Sequence, residues 1–407
     1  MFSLEKNKSG VNDNLILRQF EFFTPTHLVF GCGSISKLVD KVDGLGNRCI
    51  LFTMPDIKEC GVLDSVLKIL VSTSLEVVVC DKIQSDPTCR QIDNLLKEYK
   101  EYNPEFVIAL GGGSVIDTAK SFSIGMLNNS PIWSFVNLPG KPAKPISNGV
   151  LPLIAIPTTA GTGAEITPYA VITNTDTQQK ATIMEYDIYP RYSIVDPDFT
   201  ISLPKFVTAC TAFDAFAHAF ESYISTSNRS IFTEMLTLES MYHNYNALDK
   251  VLDNPKDVEA RSSMAWSALL AGIAISHTAT GVPHTMGQSL GARVKIPHAV
   301  TVSIFTLPVI KRTFSSDVSK LEKLAVLLSP EDISTLSSLE RAERIIDLIE
   351  LYLTKVNLTQ KISDYECPTD ILDLLFNDIY TYGSRSLERN PKKFDENEIR
   401  EILKESF

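Results

Sequence analysis

The stretch FVIALGGGSVIDTAK (106–120) decides the fold, because it joins a buried strand to a helix through three consecutive glycines. FVIAL is a short apolar run typical of a strand buried on both faces, and SVIDTAK begins a helical pattern. Glycines let backbone N–H groups approach an anion, and the helix adds its positive N-terminal end. The turn does not have the GxGxxG spacing, and a simple tight turn would need fewer glycines. We interpret it as a cradle for the pyrophosphate of a dinucleotide. The candidate cofactor residues here are Gly111, Gly112, Gly113, Ser114 and Asp117.

Strand and helix patterns alternate on both sides of this turn. This alternation predicts a parallel sheet covered by helices on both faces. Between 165 and about 200, alternating polar and β-branched residues predict hairpin-like strands. The predicted strands cover 48–53, 75–83, 105–110 and 151–158, and the predicted helices cover 61–70, 88–102 and 114–127.

The pattern changes near residue 200, where apolar residues begin to recur with the helical period of 3.6. EARSSMAWSALLAGIAI and LEKLAVLLS are examples. We therefore predict an α/β dinucleotide-binding domain at 1–200 and an all-helical, metal-binding domain at 201–407. Asp395 and Glu398 have the spacing of a capping box, which predicts a final helix.

A second polar loop, PTTAGTGAEIT (157–167), follows a second predicted strand. Its candidate residues are Thr158, Thr159 and Thr162, whose hydroxyls suit a phosphate or a ribose. Taken alone, such a loop is more often an ordinary polar loop. The carboxyl ends of parallel strands meet at one sheet edge, which is where open α/β sheets bind ligands. The two loops therefore strengthen each other as a nucleotide site.

Acidic and imidazole side chains also recur in the second half of the chain. In CTAFDAFAHAFESYIS (210–225), Asp214 and His218 lie four residues apart on one predicted helix face. His284 and His298 follow, fourteen residues from each other. One carboxylate and three imidazoles can bind a divalent transition metal. Any one of these histidines, taken alone, is more often a core or surface residue than a metal ligand. For the set as a whole, spacing leaves both interpretations open.

Charge and cysteine content exclude other classes of function. The formal net charge of −11 argues against sequence-independent nucleic-acid binding and against an anionic membrane surface. Seven cysteines without a CxxC pair do not suggest a disulfide framework, which favours a reducing cytoplasm. The first residues, MFSLEKNKSGVNDN, lack the apolar core of a secretory signal, and no apolar run reaches 18 residues.

The motifs GGGSVIDTAK, PTTAGTGAEIT, DAFAHAFESY and GVPHTMGQSLG…PHAV occur in the order found in the iron-containing (group III) alcohol dehydrogenases. The chain resembles this family from TPTHLVFGCGS (24–34) to NPKKFDENEIREIL (390–403). The resemblance implies an α/β domain with a parallel nucleotide-binding sheet and an all-helical C-terminal domain, in the dehydroquinate synthase-like arrangement. It places the active site in the cleft between them. Glycerol dehydrogenases and dehydroquinate synthases share this architecture with different metal sites.

The resemblance also implies an activity and roles for residues. The expected enzyme is an NAD- or NADP-linked alcohol dehydrogenase or aldehyde reductase that acts on a small primary alcohol or aldehyde. The metal is expected to act as a Lewis acid on the substrate oxygen, with Fe²⁺ the family's ion and Zn²⁺ or Mn²⁺ as alternatives. Lys180 is expected to reach the cofactor ribose, and a homodimer is the family's expected assembly. The implied metal ligands are Asp214, His218, His284 and His298.

Three departures from the family pattern affect these expectations. Gln288 replaces a histidine four residues after His284, which puts an imidazole proton relay in doubt. His277 is a candidate for the missing imidazole, although a helix-packing role is the simpler interpretation. Met54 stands where NAD-preferring relatives often have an acid, so the choice between NAD and NADP stays open. The alternative function is a non-catalytic structural protein that binds nucleotide and metal.

Arg293 and Lys295 precede His298. Solvated surface charges are the simpler interpretation, and attraction of an anionic aldehyde is the alternative.

Overall fold

The computed structural model describes residues 15–407 of the chain. Strands occupy its first half and pair in two sheets. The strands are β1 (His27–Phe30), β2 (Arg48–Phe52), β3 (Glu76–Cys80), β4 (Phe106–Gly111), β5 (Leu153–Pro157), β6 (Tyr169–Asn174), β7 (Gln179–Met184) and β8 (Tyr192–Val195).

Six strands form a parallel sheet in the order β1-β8-β5-β4-β2-β3. The chain adds β3 outside β2 and then returns to add β4 and β5 on the other side. The carboxyl ends of β2 and β4 therefore flank the point where the strand order reverses, which is the usual ligand crevice of such sheets. The glycine turn (111–114) follows β4 at this point, and Met54 follows β2.

Helices cover both faces of this sheet. They are α1 (Leu38–Val42), α2 (Pro55–Glu59), α3 (Val62–Leu70), α4 (Cys89–Tyr99) and α5 (Gly113–Asn128). Successive strand residues point to opposite faces. Val107 and Ala109 of β4 share a buried cluster with Phe122 of α5, whereas Ile108 shares one with Leu63 of α3. The uninterrupted apolar run of β4 is thus explained by burial on both faces.

The second half of the chain is helical. A single large apolar core joins these helices, and within it α6 contacts α7, α8 and α10. The helices are α6 (Lys205–Ile224), α7 (Ile231–Asp253), α8 (Val258–Thr278), α9 (Val282–Gly291), α10 (His298–Thr313), α11 (Val318–Leu328), α12 (Ser338–Lys355), α13 (Ile371–Tyr382), α14 (Ser384–Arg389) and α15 (Glu396–Ser406).

The predicted α/β sheet and helical region are confirmed. The predicted strands correspond to β2–β5, the predicted helices to α3–α5, and the predicted hairpin to the antiparallel pair β6–β7. The capping box of Asp395 and Glu398 begins α15. Sequence patterns did not predict β1, or that β8 joins the main sheet between β1 and β5. Each has only four residues, too few to show a periodicity.

We propose that the domain boundary lies near residue 200. The last strand ends at Val195, and the first long helix begins at Lys205. Both proposed domains contribute to one interface, because Gly163 packs against Gly272 of α8. A Cβ on Gly163 would lie 2.5 Å from the Gly272 Cα.

No single helix within residues 15–407 is both long and apolar enough to cross a membrane. The pair α8–α9 meets that requirement only when taken together, and it is bent by 98°. The apolar character of α8 has another cause, since its Ala268, Leu269 and Ala271 are buried in the helical core.

Candidate active site

Helix α6 presents three ionisable side chains on one face. Asp214, His218 and Glu221 follow one another at positions i, i+4 and i+7, and all three are buried. The buried alanines Ala215, Ala217 and Ala219 lie between them in the sequence. The apolar composition of α6 therefore buries the helix, and the three polar residues converge inside the protein.

Two more helices supply the other histidines. Pro283 lies in the first turn of α9 and Pro297 is the N-cap of α10, so both prolines stand where a missing N–H costs nothing. His284 consequently lies in the first turn of α9, and His298 is the first residue of α10. Gly287 allows the two helices to approach, because a Cβ there would lie 3.0 Å from backbone atoms of Thr301 and Val302.

The three imidazoles surround one carboxylate oxygen. From Asp214 Oδ1, the Nε2 atoms lie 3.5 Å away for His284, 3.8 Å for His298 and 3.9 Å for His218. Two ligands of one ion, each bound at about 2.1 Å in a tetrahedral arrangement, lie roughly 3.4 Å apart. Ligand atoms of Asp214, His284 and His298 all lie within 4.8 Å of one another. His218 stands just outside that tighter group, and its ring stacks on His284 with centroids 4.4 Å apart.

Several polar atoms of this cluster are buried without a hydrogen-bond partner. Asp214 Oδ1 and His284 Nε2 are two of them. Unsatisfied buried polar atoms are costly and need an explanation. A divalent cation would satisfy them, because oxygen and imidazole nitrogen are ligands that first-row transition metals accept. The residues present therefore fit a metal ion. We call Asp214, His218, His284 and His298 the candidate metal centre.

Glu221 is a member of this site that sequence analysis missed. Its Oε1 lies 2.6 Å from His284 Nδ1, and its Oε2 accepts the Gly281 N–H at 2.6 Å. Because a carboxylate only accepts hydrogen bonds, Nδ1 carries the proton and Nε2 is left with a lone pair for a metal. The signal was available in the sequence, since Glu221 follows His218 on the same face of an otherwise apolar helix.

The electrostatic environment favours the metal-binding forms of two histidines and of the carboxylate. Burial raises the pKa of Asp214, but the nearby imidazoles of His218, His284 and His298 outweigh it, so the pKa lies well below its usual value. Burial lowers the pKa of His218 and of His298. Burial also lowers the pKa of His284, but Glu221 and Asp214 outweigh it and raise that pKa to about 10. The negative field that holds this proton also favours a bound cation.

The candidate metal centre lines a cleft of about 380 Å³. The cleft continues from the metal centre to the sheet edge and to the hairpin β6–β7. Its wall also includes residues of α9, α13 and α14 in the helical half. Predicted site residues that line it are Gly113, Ser114, Asp117, Thr162, Lys180, Asp214, His218, His284 and His298.

The other predicted cofactor residues lie outside the lining of the cleft. Gly111, Gly112, Thr158, Thr159 and Met54 do not line it. A Cβ on Gly112 would lie 3.0 Å from Thr159 Oγ1, and one on Gly113 would lie 2.7 Å from Thr162 Cγ2. The missing Cβ atoms therefore let the glycine turn pack against the threonine loop (158–163), whatever ligand binds there.

Charged residues at the sheet edge are paired with each other. Lys180 is almost fully buried and forms an ion pair with Asp86. The Asp86 N–H in turn donates to Ser114 Oγ at 3.2 Å. Asp117 Oδ2 accepts the Val171 N–H at 3.1 Å, which ties α5 to β6. Lys180 and Asp117 thus have internal partners while still facing the cleft.

The structure does not bring His277 to the cleft. Its Nε2 accepts the Phe23 N–H at 3.1 Å, and its Nδ1 lies 2.8 Å from the Ile273 carbonyl. Its ring stacks on Phe22 with centroids 4.4 Å apart. Both ring nitrogens and one ring face are therefore used to hold the segment before β1 against α8. The helix-packing interpretation of His277 fits these contacts, and the proposed catalytic role does not.

Gln288 and Arg293 differ in whether they face the cleft. Gln288 lines the cleft, so an amide does stand where relatives often place a second histidine. Arg293 forms a two-pronged ion pair with Asp378, with N–O distances of 2.8–3.0 Å. Lys295 is exposed. The structure therefore uses Arg293 to hold α13 and gives neither residue a contact with the metal centre.

Comparison with known proteins agrees with this geometry. Residues 25–197 match the sequence model for "Iron-containing alcohol dehydrogenase", and residues 208–407 match that for "Fe-containing alcohol dehydrogenase family, C-terminal". The choline dehydrogenase of Bacillus subtilis (strain 168) is 32% identical over 81% of this chain and 82% of its own. The sulfoacetaldehyde reductase of Bilophila wadsworthia (strain 3_1_6) is 28% identical over 95% and 99%.

Solved structures extend the likeness to three dimensions. The alcohol dehydrogenase from Oenococcus oeni superimposes with a TM-score of 0.88 at 27% identity, covering 96% of this chain and 100% of that one. The match spans both the parallel sheet and the helical half, so the two halves share their relative placement with that protein. On these matches, the chain belongs to the iron-containing alcohol dehydrogenase family.

Proposed function

We propose that the protein is a metal-dependent, NAD- or NADP-linked alcohol dehydrogenase or aldehyde reductase. One observation carries the proposal. One carboxylate and three imidazoles, of which only His298 is partly exposed, have unsatisfied ligand atoms and line the same cleft as the glycine turn at the switch point of a parallel sheet. A metal and a dinucleotide bound at these places would face one shared space.

The reaction balances as a hydride transfer. A primary alcohol and NAD(P)⁺ give an aldehyde, NAD(P)H and one proton, and the reverse direction reduces the aldehyde. A divalent cation supplies Lewis-acid polarisation of the substrate oxygen, and the nicotinamide carries the hydride. The ligands proposed to hold the cation are Asp214, His218, His284 and His298, with Fe²⁺ favoured by family membership and Zn²⁺ or Mn²⁺ compatible with the donors.

The protein's own side chains position the reactants and manage the proton. Glu221 fixes the ring of His284 and keeps Nε2 available. The Gln288 amide can donate a hydrogen bond to a substrate oxygen, but it cannot accept the proton, because an amide is not basic. We therefore expect the proton to exchange with water in the cleft rather than with residue 288.

The coenzyme and its contacts are part of the proposal. The glycine turn (111–114) and Asp117 would take the pyrophosphate side, and the threonine loop (158–163) would support the nicotinamide side. Lys180 would reach the ribose. Met54 follows β2 at the position where an acid would bind the ribose 2′-OH of NAD. No arginine stands beside it in the sequence to bind the 2′-phosphate of NADP, so the experiment tests both coenzymes.

We also propose a cytoplasmic homodimer. All seven cysteines are unpaired thiols, which suits a reducing compartment. The dimer follows from family membership. Light scattering of the purified protein would measure its mass, and a purely monomeric protein would contradict the assembly without affecting the chemistry.

The test combines elemental analysis with turnover. The purified protein is loaded anaerobically with Fe²⁺, Zn²⁺ or Mn²⁺ and its metal content is measured. Formation or loss of NADH and NADPH is then followed with a panel of alcohols and aldehydes. We expect about one metal ion per chain and turnover that an Asp214→Ala variant loses together with its metal.

Two outcomes would contradict the proposal. Full turnover by metal-free protein would remove the cation from the chemistry. Binding of metal and coenzyme without turnover of any alcohol or aldehyde would instead favour the non-catalytic alternative.

A further inference from the structure

Two arginines on α14 face the same cleft as the candidate metal centre. Arg385 and Arg389 lie four residues apart on this short helix, so they share one face, and both line the cleft. Arg389 is half-buried, whereas Arg385 is exposed. Neither residue has a role in the proposed binding of metal or coenzyme.

The carboxylates of the cleft are already committed to other partners. Asp86 pairs with Lys180, and Asp378 pairs with Arg293. Asp117 interacts with the buried Lys120 and accepts the Val171 N–H. Asp214 belongs to the candidate metal centre. No carboxylate lining the cleft is therefore left to neutralise α14.

Within residues 15–407, neither Arg385 nor Arg389 forms an ion pair. Arg389 donates one long hydrogen bond, of 3.4 Å, to the Thr280 carbonyl. The neighbouring Glu388 is exposed and interacts with Arg389 only through its charge. Burial lowers the pKa of Arg389, and the like charge of Arg385 adds to that effect. A half-buried guanidinium with most donors unused is a natural site for an oxyanion.

Contacts fasten α14 to the turn that carries the metal ligand His284. Ser386 and Thr285 share a hydrogen bond of 2.6 Å between their hydroxyls, and Thr285 follows His284 directly. Arg389 contacts Thr280, whose neighbour Gly281 donates to Glu221, the partner of His284. Helix α14 is thus held to the helical wall through Ser386, and the Arg389 guanidinium is held to the segment that leads into α9.

We propose that Arg385 and Arg389 bind an anionic group of the substrate. The preferred substrate is then a small aldehyde bearing a carboxylate or sulfonate, or the corresponding alcohol. The inference rests on the proposed function and names the substrate class for the same site. The aldehyde end would lie at the metal centre while the anionic end binds α14. Arg389 contributes more than Arg385 to binding of the anionic group, because its half-buried charge is less screened by solvent and salt.

The first experiment compares matched aldehydes with the metal-loaded enzyme. The substrates are propionaldehyde (neutral), succinic semialdehyde (carboxylate), sulfoacetaldehyde (sulfonate) and betaine aldehyde (cation). We expect kcat/KM to be highest for one of the two anions and lowest for the cation. Arg389→Gln should lower kcat/KM for that anion roughly 10- to 100-fold, the usual weight of charge-assisted hydrogen bonds, and leave propionaldehyde within about threefold.

Three further variants control this result. Arg389→Lys should recover part of the loss, and Arg385→Gln should show a smaller loss. Arg344→Gln removes an arginine of α12 that pairs with Asp347 and does not line the cleft, so no change is expected. Added salt should raise the KM of the anionic aldehyde more than that of propionaldehyde.

The outcomes separate this inference from the proposed function. Turnover of neutral aldehydes without preference for an anion would overturn the inference alone, as would an equal loss for all substrates in Arg389→Gln. A rise in coenzyme KM without loss of anion selectivity would assign the arginines to the coenzyme and also overturn it.

A binding measurement covers the case without turnover. Ethanesulfonate and propionate are titrated calorimetrically into the protein and into Arg389→Gln. Weaker binding to the variant would support the oxyanion site even if no alcohol were oxidised, and equal binding to both proteins would overturn it.

Discussion

The sheet edge and the candidate metal centre line one cleft but differ in how their charged groups are partnered. At the sheet edge, Lys180 forms an ion pair with Asp86, and Asp117 accepts a hydrogen bond from the Val171 N–H. At the metal centre, Asp214 Oδ1 and His284 Nε2 are buried without hydrogen bonds. The charged groups of the sheet edge are therefore partnered within the protein, whereas the metal centre is arranged for an ion that compensates its buried atoms. Removing one metal ligand should therefore lower activity before it affects the fold. Crowding the sheet edge should instead disturb the packing of the glycine turn first.

The largest effect is expected for His284→Ala. This change removes a metal ligand and leaves Glu221 without its imidazole partner. We expect loss of bound metal and a fall in kcat of more than about a hundredfold, because Lewis-acid polarisation is lost. Metal analysis and steady-state rates measure both. An unchanged far-UV circular dichroism spectrum is required, and a variant that keeps its metal would contradict the assignment of this ligand.

A smaller effect is expected for Glu221→Gln, which keeps the shape of the side chain but removes its charge. Loss of such a supporting carboxylate typically weakens metal affinity 10- to 100-fold. Competition with a chelator measures the change. Glu239→Gln is a matched control, since Glu239 bonds the surface His243 on α7. Equal metal affinity in wild type and Glu221→Gln would show that the hydrogen bond to His284 does not tune the centre.

At the sheet edge, Gly113→Ala should weaken coenzyme binding more than it affects the metal. The added Cβ would lie 2.7 Å from Thr162 Cγ2, so the glycine turn or the threonine loop must shift. We expect a roughly tenfold rise in coenzyme KM and a loss of about 1–3 kcal/mol in the free energy of unfolding. Gly291→Ala is the control, because its Cβ would meet only an ordinary contact of 3.7 Å. Unchanged coenzyme KM in Gly113→Ala would argue against the cradle.

The smallest effect on activity is expected at Glu165, where the change concerns the pH dependence of stability. Burial raises the pKa of Glu165, in the loop that follows β5, from 4.5 to about 7. The folded state therefore holds a proton that the unfolded state releases, and this carboxyl stabilises the fold less as pH rises from about 4.5 to 7. In Glu165→Gln, that pH-dependent loss between pH 5 and pH 7 should shrink by about 2 kcal/mol. Urea unfolding at pH 5 and pH 7 measures it, and an unchanged difference would mean that Glu165 is not buried in this way.

Sequence patterns were sufficient where one local period dominated. The buried run of β4, the glycine turn and the amphipathic helices each show their structure within about ten residues, so β2–β5 and α3–α5 were predicted. Asp214 and His218 were paired by their spacing on one helix. Strand β1 was missed, and β8 was expected in a hairpin rather than in the main sheet, because four residues show no period and the pairing of β1 with β8 joins distant parts of the chain.

What the amino-acid sequence determined by itself is the order of elements, the sheet edge with its glycine turn, and the inventory of metal-binding side chains. Tertiary structure alone decided which of these meet. It placed His284 and His298 beside Asp214, assigned Glu221 to His284, and turned His277 away to hold the segment before β1. It also paired Arg293 with Asp378 while leaving Arg385 and Arg389 facing the cleft. The physical reason is that local periods fix which face of an element is buried, whereas contacts between elements depend on helix packing across the whole core.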